Sequence, residues 1–150
     1  MTPLKVSCPG IVNGRFLPDH TGRGKDLSPE LILENLSPEA RTLAVTLEDM
    51  SHPIKGFTHW VIWNLPATGR IPGAIPAGKT VPGGGTQGVA YGLHRCAGPK
   101  PPKGRTHTYR FTVYALDCAL ALHSRARKKT FLRAAEGHIL QSGSILGEFE

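Results

Sequence analysis

The chain contains no apolar run approaching the roughly 18–20 residues that span a bilayer, which argues against a transmembrane helix. Its start, Met-Thr-Pro-Leu-Lys-Val-Ser-Cys-Pro-Gly, lacks the basic stretch and apolar block of a secretory signal. The expected location is therefore the cytoplasm. Three cysteines, Cys8, Cys96 and Cys118, form neither a C-x-x-C pair nor a dense framework, so free thiols are expected, with one bridge left open. A zinc reading must draw on His94 and Cys96, with Cys8, Cys118 and His123 elsewhere, and no standard ligand spacing supports it. No metal and no cofactor is expected. No G-x-S-x-G elbow is present for an α/β-hydrolase nucleophile.

Charge of one sign is what the chain has in excess. The net charge is +7, yet the cations are dispersed except for Arg125-Ala-Arg-Lys-Lys129. That run reads as a solvated loop or helix start rather than a binding patch. The aromatics do not interleave with basic residues as an RNA-stacking surface requires, so no nucleic-acid partner is expected.

The 18 glycines and 13 prolines divide the 150 residues into short pieces, the pattern of a single β-rich domain with long connections. Short strands are expected near 14–17 and 31–34. Thr42–Asp49 alternates apolar and polar positions, as a strand with one buried face does. Thr58–Asn64 is rich in aromatic and β-branched residues and reads as a central strand buried on both faces. Residues 67–106 carry much of the glycine and proline and read as a long loop without regular structure. His107–Leu116 is the strongest strand. A helix is expected near 128–136, with Gly137 as its stop, followed by one or two final strands.

Alternation assigns directions to side chains. It places Asp49 on the face of Leu43, Val45 and Leu47. His59 falls on the face of Val61 and Trp63, and His107 and Tyr109 on that of Phe111 and Val113. If 42–49 pairs antiparallel with 58–64, and 107–116 runs in the same sense as the latter, the polar ends meet on one rim. A carboxylate, two imidazoles and a phenol make an anion site: ring N–H and phenol O–H groups donate to phosphoryl or carboxylate oxygens, and the carboxylate orients a histidine. A competing reading takes Ser51, His59 and Asp49 as elements of a hydrolytic triad.

Several ordered motifs carry a resemblance along nearly the whole chain. They are Asp26-Leu-Ser-Pro-Glu-Leu31; Asp49-Met-Ser-His-Pro53; Gly56-Phe-Thr-His-Trp-Val-Ile-Trp-Asn-Leu-Pro66; Gly98-Pro-Lys-Pro-Pro-Lys-Gly104; His107-Thr-Tyr109; Val113-Tyr-Ala-Leu-Asp117; and Ala135-Glu-Gly-His-Ile-Leu140. Together they resemble the phosphatidylethanolamine-binding protein family, whose bacterial branch includes the Raf kinase inhibitor-like proteins. The resemblance implies a mainly β fold of two antiparallel sheets with Greek-key connections and a few short peripheral helices. It also implies a binding or regulatory protein with a rim pocket for phosphate-like anions or phosphorylated head groups. On this sequence the pocket falls on Asp49, Pro53, His59, His107 and Tyr109, with Lys100 beside them. A protein partner and a homodimer are left open. Met50 and Ser51 stand where the family motif has proline and a second aspartate, Lys100 where the bacterial branch often has cysteine, and Thr108 where arginine is usual. Loss of a carboxylate and gain of a lysine make such a site more anion-attracting and weaker for an amine-bearing head group.

Overall fold

A computed structural model describes residues 3–150. Ten strands and one helix follow in the order β1 (Lys5–Ser7), β2 (Ile11–Val12), β3 (Arg15–Phe16), β4 (Leu31–Glu34), β5 (Thr42–Asp49), β6 (Phe57–Pro66), β7 (Arg70–Ile71), β8 (Thr86–Gln87), β9 (His107–Leu116), α1 (Lys128–Ala135) and β10 (Ile139–Phe149). A single 3-10 turn lies at Pro18–His20. The strands form a three-stranded sheet, β1-β4-β7, and a seven-stranded sheet, β2-β3-β10-β9-β5-β6-β8. Pairing is antiparallel except where β10 meets β3 at Glu148 and Arg15. The architecture is thus the mainly β, two-sheet arrangement that the motifs imply.

Strand β5 lies at the centre, hydrogen-bonded to β6 on one side and β9 on the other. The chain passes from β6 around to β9 through residues 67–106, the Greek-key step of the fold. All eight residues of β5 are buried, so the single buried face expected from its alternation is corrected to two. Leu43, Val45 and Leu47 join Trp60, Ile62, Phe111 and Val113 in a core closed by Leu31, Leu33 and Ile71 of the small sheet. Ala44 faces the opposite way, into a second core with Val61, Trp63, Phe131 and Ala135. Its polar neighbours on that side, Thr46 and Glu48, are covered too, which is why composition alone understated the burial.

Helix α1 covers this second face by stacking Phe131 on Trp63 at 6.0 Å, with Tyr114 edge-on at 5.6 Å. Gly137, at φ +82°, ends it in the left-handed conformation that favours glycine. The tail is one strand, β10, which runs along β9 from Ile139 to Phe149.

The segment 67–106 is more ordered than an irregular loop, because β7 edges the small sheet and β8 the large one. Gln87, fully buried, accepts from Trp60 Nε1 at 2.8 Å and donates to the carbonyls of Pro76 and Gly78, each at 2.9 Å. One side-chain amide thus satisfies backbone groups that burial would otherwise leave unpaired. The basic run is also corrected in part: Lys128 opens α1 and its ammonium is tied down beneath the sheet rather than solvated.

Phe131 has no exposed surface and makes both ring contacts that hold α1. Phe131→Ala is expected to cost about 3–5 kcal/mol of stability, read as a lowered midpoint in urea denaturation with the slope unchanged.

Candidate functional site

The rim of the large sheet nearest Asp49 opens into a cavity of about 430 Å³ lined by Asp49, Ser51, His52, Pro53, Phe57, His59, Tyr91, Lys100, Pro101, Pro102, Arg105, His107 and Tyr109. The six residues singled out as ligand-binding candidates, Asp49, Pro53, His59, Lys100, His107 and Tyr109, all line it. The assembly follows from register: Asp49, the last residue of β5, sits opposite Phe57 at the start of β6 and Tyr109 near the start of β9. Strands leaving this rim on both sides of β5 therefore bring their first residues to its last.

His59 reaches the cavity by a different route from the one alternation suggests. Leu47 pairs with Trp60 but Glu48 pairs with Thr58, so His59 is an extra residue bulged out of the ladder. Strict alternation would place it with Val61 and Trp63, beneath α1. The bulge turns it instead to the face of Trp60, where its ring meets Tyr109 edge-on at 5.5 Å. Re-aiming one side chain at a functional rim is a recurring use of such bulges.

Asp49 is 4% exposed and its two oxygens do different work. Oδ1 accepts the Ser51 N–H at 2.9 Å, closing the turn after β5, and Oδ2 accepts from His107 Nδ1 at 2.7 Å. Since a carboxylate here only accepts, His107 carries its proton on Nδ1, and Nε2 is left for the cavity. His59 is fixed in the same tautomer by the Ala97 carbonyl, which accepts from its Nδ1 at 2.7 Å. Burial holds its pKa below the usual histidine value, against the opposing pull of the Ala97 carbonyl and the Asp49 charge. The Tyr109 hydroxyl is pushed the other way, well above the usual phenol range, by burial and then by Asp49. At neutral pH the cavity is thus lined by a phenol O–H, whose oxygen also meets the Lys100 backbone, and a neutral His59 imidazole held by the backbone at Ala97 and Gly98, with Lys100 and Arg105 at the rim.

The wall carrying Lys100 is held from outside. Asp26, at φ +56°, accepts the Gly98 N–H at 2.8 Å and pairs with Arg95 at 2.8 Å. Arg23 Nη2 donates to the Pro101 carbonyl at 2.5 Å, and Gly22 N to Pro99 at 2.8 Å. The Asp26-Leu-Ser-Pro segment therefore staples loops rather than touching a ligand: Ser28 Oγ accepts the Ile75 N–H and its carbonyl the Ala74 N–H.

The hydrolytic triad does not assemble. Ser51 Oγ accepts the Thr108 N–H at 2.9 Å, and Asp49 is bonded to His107 rather than His59. His59 spends Nδ1 on Ala97, so no carboxylate orients it as a base. The cysteine and histidine set considered for zinc is also dispersed: Cys8 and Cys96 are buried, all three thiols are free, and His94 Nδ1 bonds the Gln87 carbonyl.

Six lining residues were not singled out from the sequence: His52, Phe57, Tyr91, Pro101, Pro102 and Arg105. His52 stacks on Phe57 at 3.9 Å with its Nδ1 accepting the Ile54 N–H, and Tyr91 packs edge-on against both Phe57 and His59. Arg105 completes the rim two residues before His107. His52, Phe57, Pro101 and Pro102 lie within the motifs quoted above and Arg105 directly follows one of them; Tyr91 reaches the rim through the fold alone.

The fold and cavity define a two-sheet protein with an enclosed carboxylate–imidazole pair at a sheet rim. The chain belongs to the phosphatidylethanolamine-binding protein family, which it matches over residues 8–150. It is 39% identical over 152 residues to a UPF0098 protein of Pyrococcus horikoshii, covering 98% of this chain and 76% of that one. A UPF0098 protein of Methanothermobacter thermautotrophicus is 39% identical over 89% of each chain. The crystal structure of a phosphatidylethanolamine-binding protein homologue from Chlamydia trachomatis superposes with a TM-score of 0.85 at 24% identity, covering 100% of this chain and 99% of its own. YbcL of Escherichia coli gives the same score and identity over 99% of both chains. These structures establish the shared fold.

Because the fold depresses the His59 pKa, the unfolded chain binds more protons than the folded one between the folded value and about 6.5. Stability therefore rises with pH across that window, and acidification through it removes the contribution of neutral His59. Ring NMR should show His59 titrating below the ordinary histidine value. A His59 titration at or above the ordinary value would contradict the burial argument.

Proposed function

We propose that this cavity binds a small phosphate-like anion or a phosphorylated head group, reversibly and without turning it over. The observation that carries the reading is the 2.7 Å Asp49–His107 contact, which orients His107 with Nε2 left for a ligand. The Tyr109 hydroxyl, Lys100 and Arg105 line the same space. Pro53 shapes the rim beside them. The buried carboxylate fixes the His107 ring with Nε2 facing the ligand, and the Tyr109 phenol O–H donates to a phosphoryl oxygen. His59 offers a neutral acceptor nitrogen. It accepts the remaining hydroxyl of a monoprotonated phosphate, or takes up a proton itself when the ligand is fully ionised. No nucleophile stands ready: the one serine at the rim has its oxygen engaged by the Thr108 amide.

Ligand choice follows from the charge set. Ser51 stands where the family motif has a carboxylate, and Lys100 and Arg105 flank the opening. An ammonium on the ligand gains less here than its phosphate does, so inorganic phosphate and phosphorylethanolamine should bind with comparable affinity.

Titration of isotopically labelled protein with each compound should shift the ring resonances of His59 and His107 and raise the His59 pKa. His107→Ala should weaken phosphate binding by about tenfold or more, the scale of one lost charge-assisted hydrogen bond, and Lys100→Ala by less. Unmoved His59 and His107 signals at saturating phosphate would remove the basis of the reading.

A further inference from the structure

A second group of chemistry-bearing residues gathers at the far end of β9. Asp117 follows the strand directly, Cys118 comes next, and His138 lies just before β10. A carboxylate oxygen, a thiol sulfur and an imidazole nitrogen lie there within 4.8 Å of one another. His138 Nδ1 is already 2.9 Å from Asp117 Oδ1.

The backbone beneath these side chains is fixed from both sides. Leu116 O accepts the Arg41 N–H at 2.8 Å, Asp117 N donates to His138 O at 3.0 Å, and Cys118 O accepts from Thr42 Oγ1 at 2.8 Å. The His138 N–H is held by Ala135 O at 2.9 Å, immediately after the left-handed Gly137. The three donors thus stand on a frame tied to β5, α1 and β10, and do not depend on a mobile loop. An Asp–His contact alone would suffice to brace this corner. The Cys118 thiol also donates to the Asp117 carboxylate, and with it the corner holds a set of one sulfur, one nitrogen and one oxygen.

We propose that Asp117, Cys118 and His138 form a zinc(II) site, with water in the fourth position. Zinc takes sulfur at about 2.3 Å and nitrogen or oxygen at about 2.0–2.2 Å in a tetrahedron, which sets donor–donor separations of roughly 3.3–3.7 Å. The carboxylate and imidazole are close enough now. The thiol closes the remaining gap by rotation about its one side-chain torsion. On binding, His138 moves its ring proton from Nδ1 to Nε2 and gives up its hydrogen bond to Asp117 Oδ1, the metal takes the freed Nδ1 lone pair and the Cys118 thiolate, and the thiol proton leaves to solvent. Asp117 and His138, with side chains 43% and 46% exposed, leave room for the water ligand and for entry of the ion. Three protein ligands and an open position make a site that binds reversibly, not a closed structural one.

The test uses the full chain stripped of metal, first with cobalt(II) as a coloured stand-in and then with zinc by calorimetry. One equivalent of cobalt should give a near-ultraviolet thiolate charge-transfer band and the intense visible bands of a four-coordinate ion. Cys118→Ser should abolish the first and weaken zinc at least tenfold. His138→Ala should weaken zinc to a similar degree, and His123→Ala, at an exposed position outside the cluster, should leave binding unchanged. Because Asp117 and His138 are exposed and Cys118 is only partly covered, circular dichroism should show these variants folded. Absence of the charge-transfer band, its survival in Cys118→Ser, or indifference of zinc affinity to His138→Ala would each overturn the proposal.

Discussion

Strand β5 is covered on both faces, and its last two residues are both acids. Burying a carboxylate without a partner is costly, so the positions of Glu48 and Asp49 impose requirements on everything around them. Alternation sends them to opposite sides of the sheet. Glu48 turns towards α1, where Lys128 reaches it at 2.6 Å and Arg110 at 3.3 Å. Burial alone would raise its pKa. The Lys128 ammonium and then the Arg110 guanidinium outweigh that and hold it below the usual carboxylate value. Asp49 turns the other way and takes His107 and the Ser51 amide. The Glu48–Lys128 ion pair and the Asp49–His107 hydrogen bond are therefore one solution to one constraint, applied once on each face.

The consequences are joined through the loop between β5 and β6. Lys128 Nζ also donates to Gly56 O at 3.0 Å, so the pair that pins α1 also anchors the far end of the segment bearing Ser51, His52 and Pro53. The near end is fixed by Asp49 itself. A rim that must present Pro53 and the His52–Phe57 stack in a set place is thus restrained at both ends by consecutive buried acids. A helix on the outer face of the sheet helps to shape a cavity on the inner one, with no direct contact between α1 and Asp49 required.

Much of this was legible in the order of residues. The limits of β5, β9 and α1 follow from periodicity, and the convergence of Asp49, His107 and Tyr109 follows from antiparallel pairing alone. The face of His59 was not legible. A bulge is a property of how β6 sits against β5, and one inserted residue reverses what a period of two implies. The double burial of β5 was hidden for a related reason: Thr46 and Glu48 look like solvent-facing residues until the helix that covers them is placed. Phe57 and Tyr91 are 34 positions apart and meet only because residues 67–106 fold back, pinned by Gln87 and by the Asp26 contacts. The hydrogen-bonding partners of an amide or a carboxylate so distant in sequence leave no local pattern to read.

Strand β9 gives the molecule a second organising axis. It begins at His107, beside the buried acid, and ends at Leu116, where Asp117, Cys118 and His138 meet. Ten residues of strand separate the two ends by about 30 Å. Over that distance, several Debye lengths at physiological salt, exposed charges at one end scarcely influence the other. The chemistry also differs in kind. At the first end the donors are N–H and O–H groups around a nearly enclosed carboxylate, suited to an anion. At the second they are lone pairs on exposed side chains above a fixed backbone, suited to a cation. One continuous strand can carry both because its middle, Phe111 to Ala115, is committed to the core on one face and to β5 and β10 along its edges. The ends are where the ladder stops and side chains are released from packing, and both sites stand at those stops.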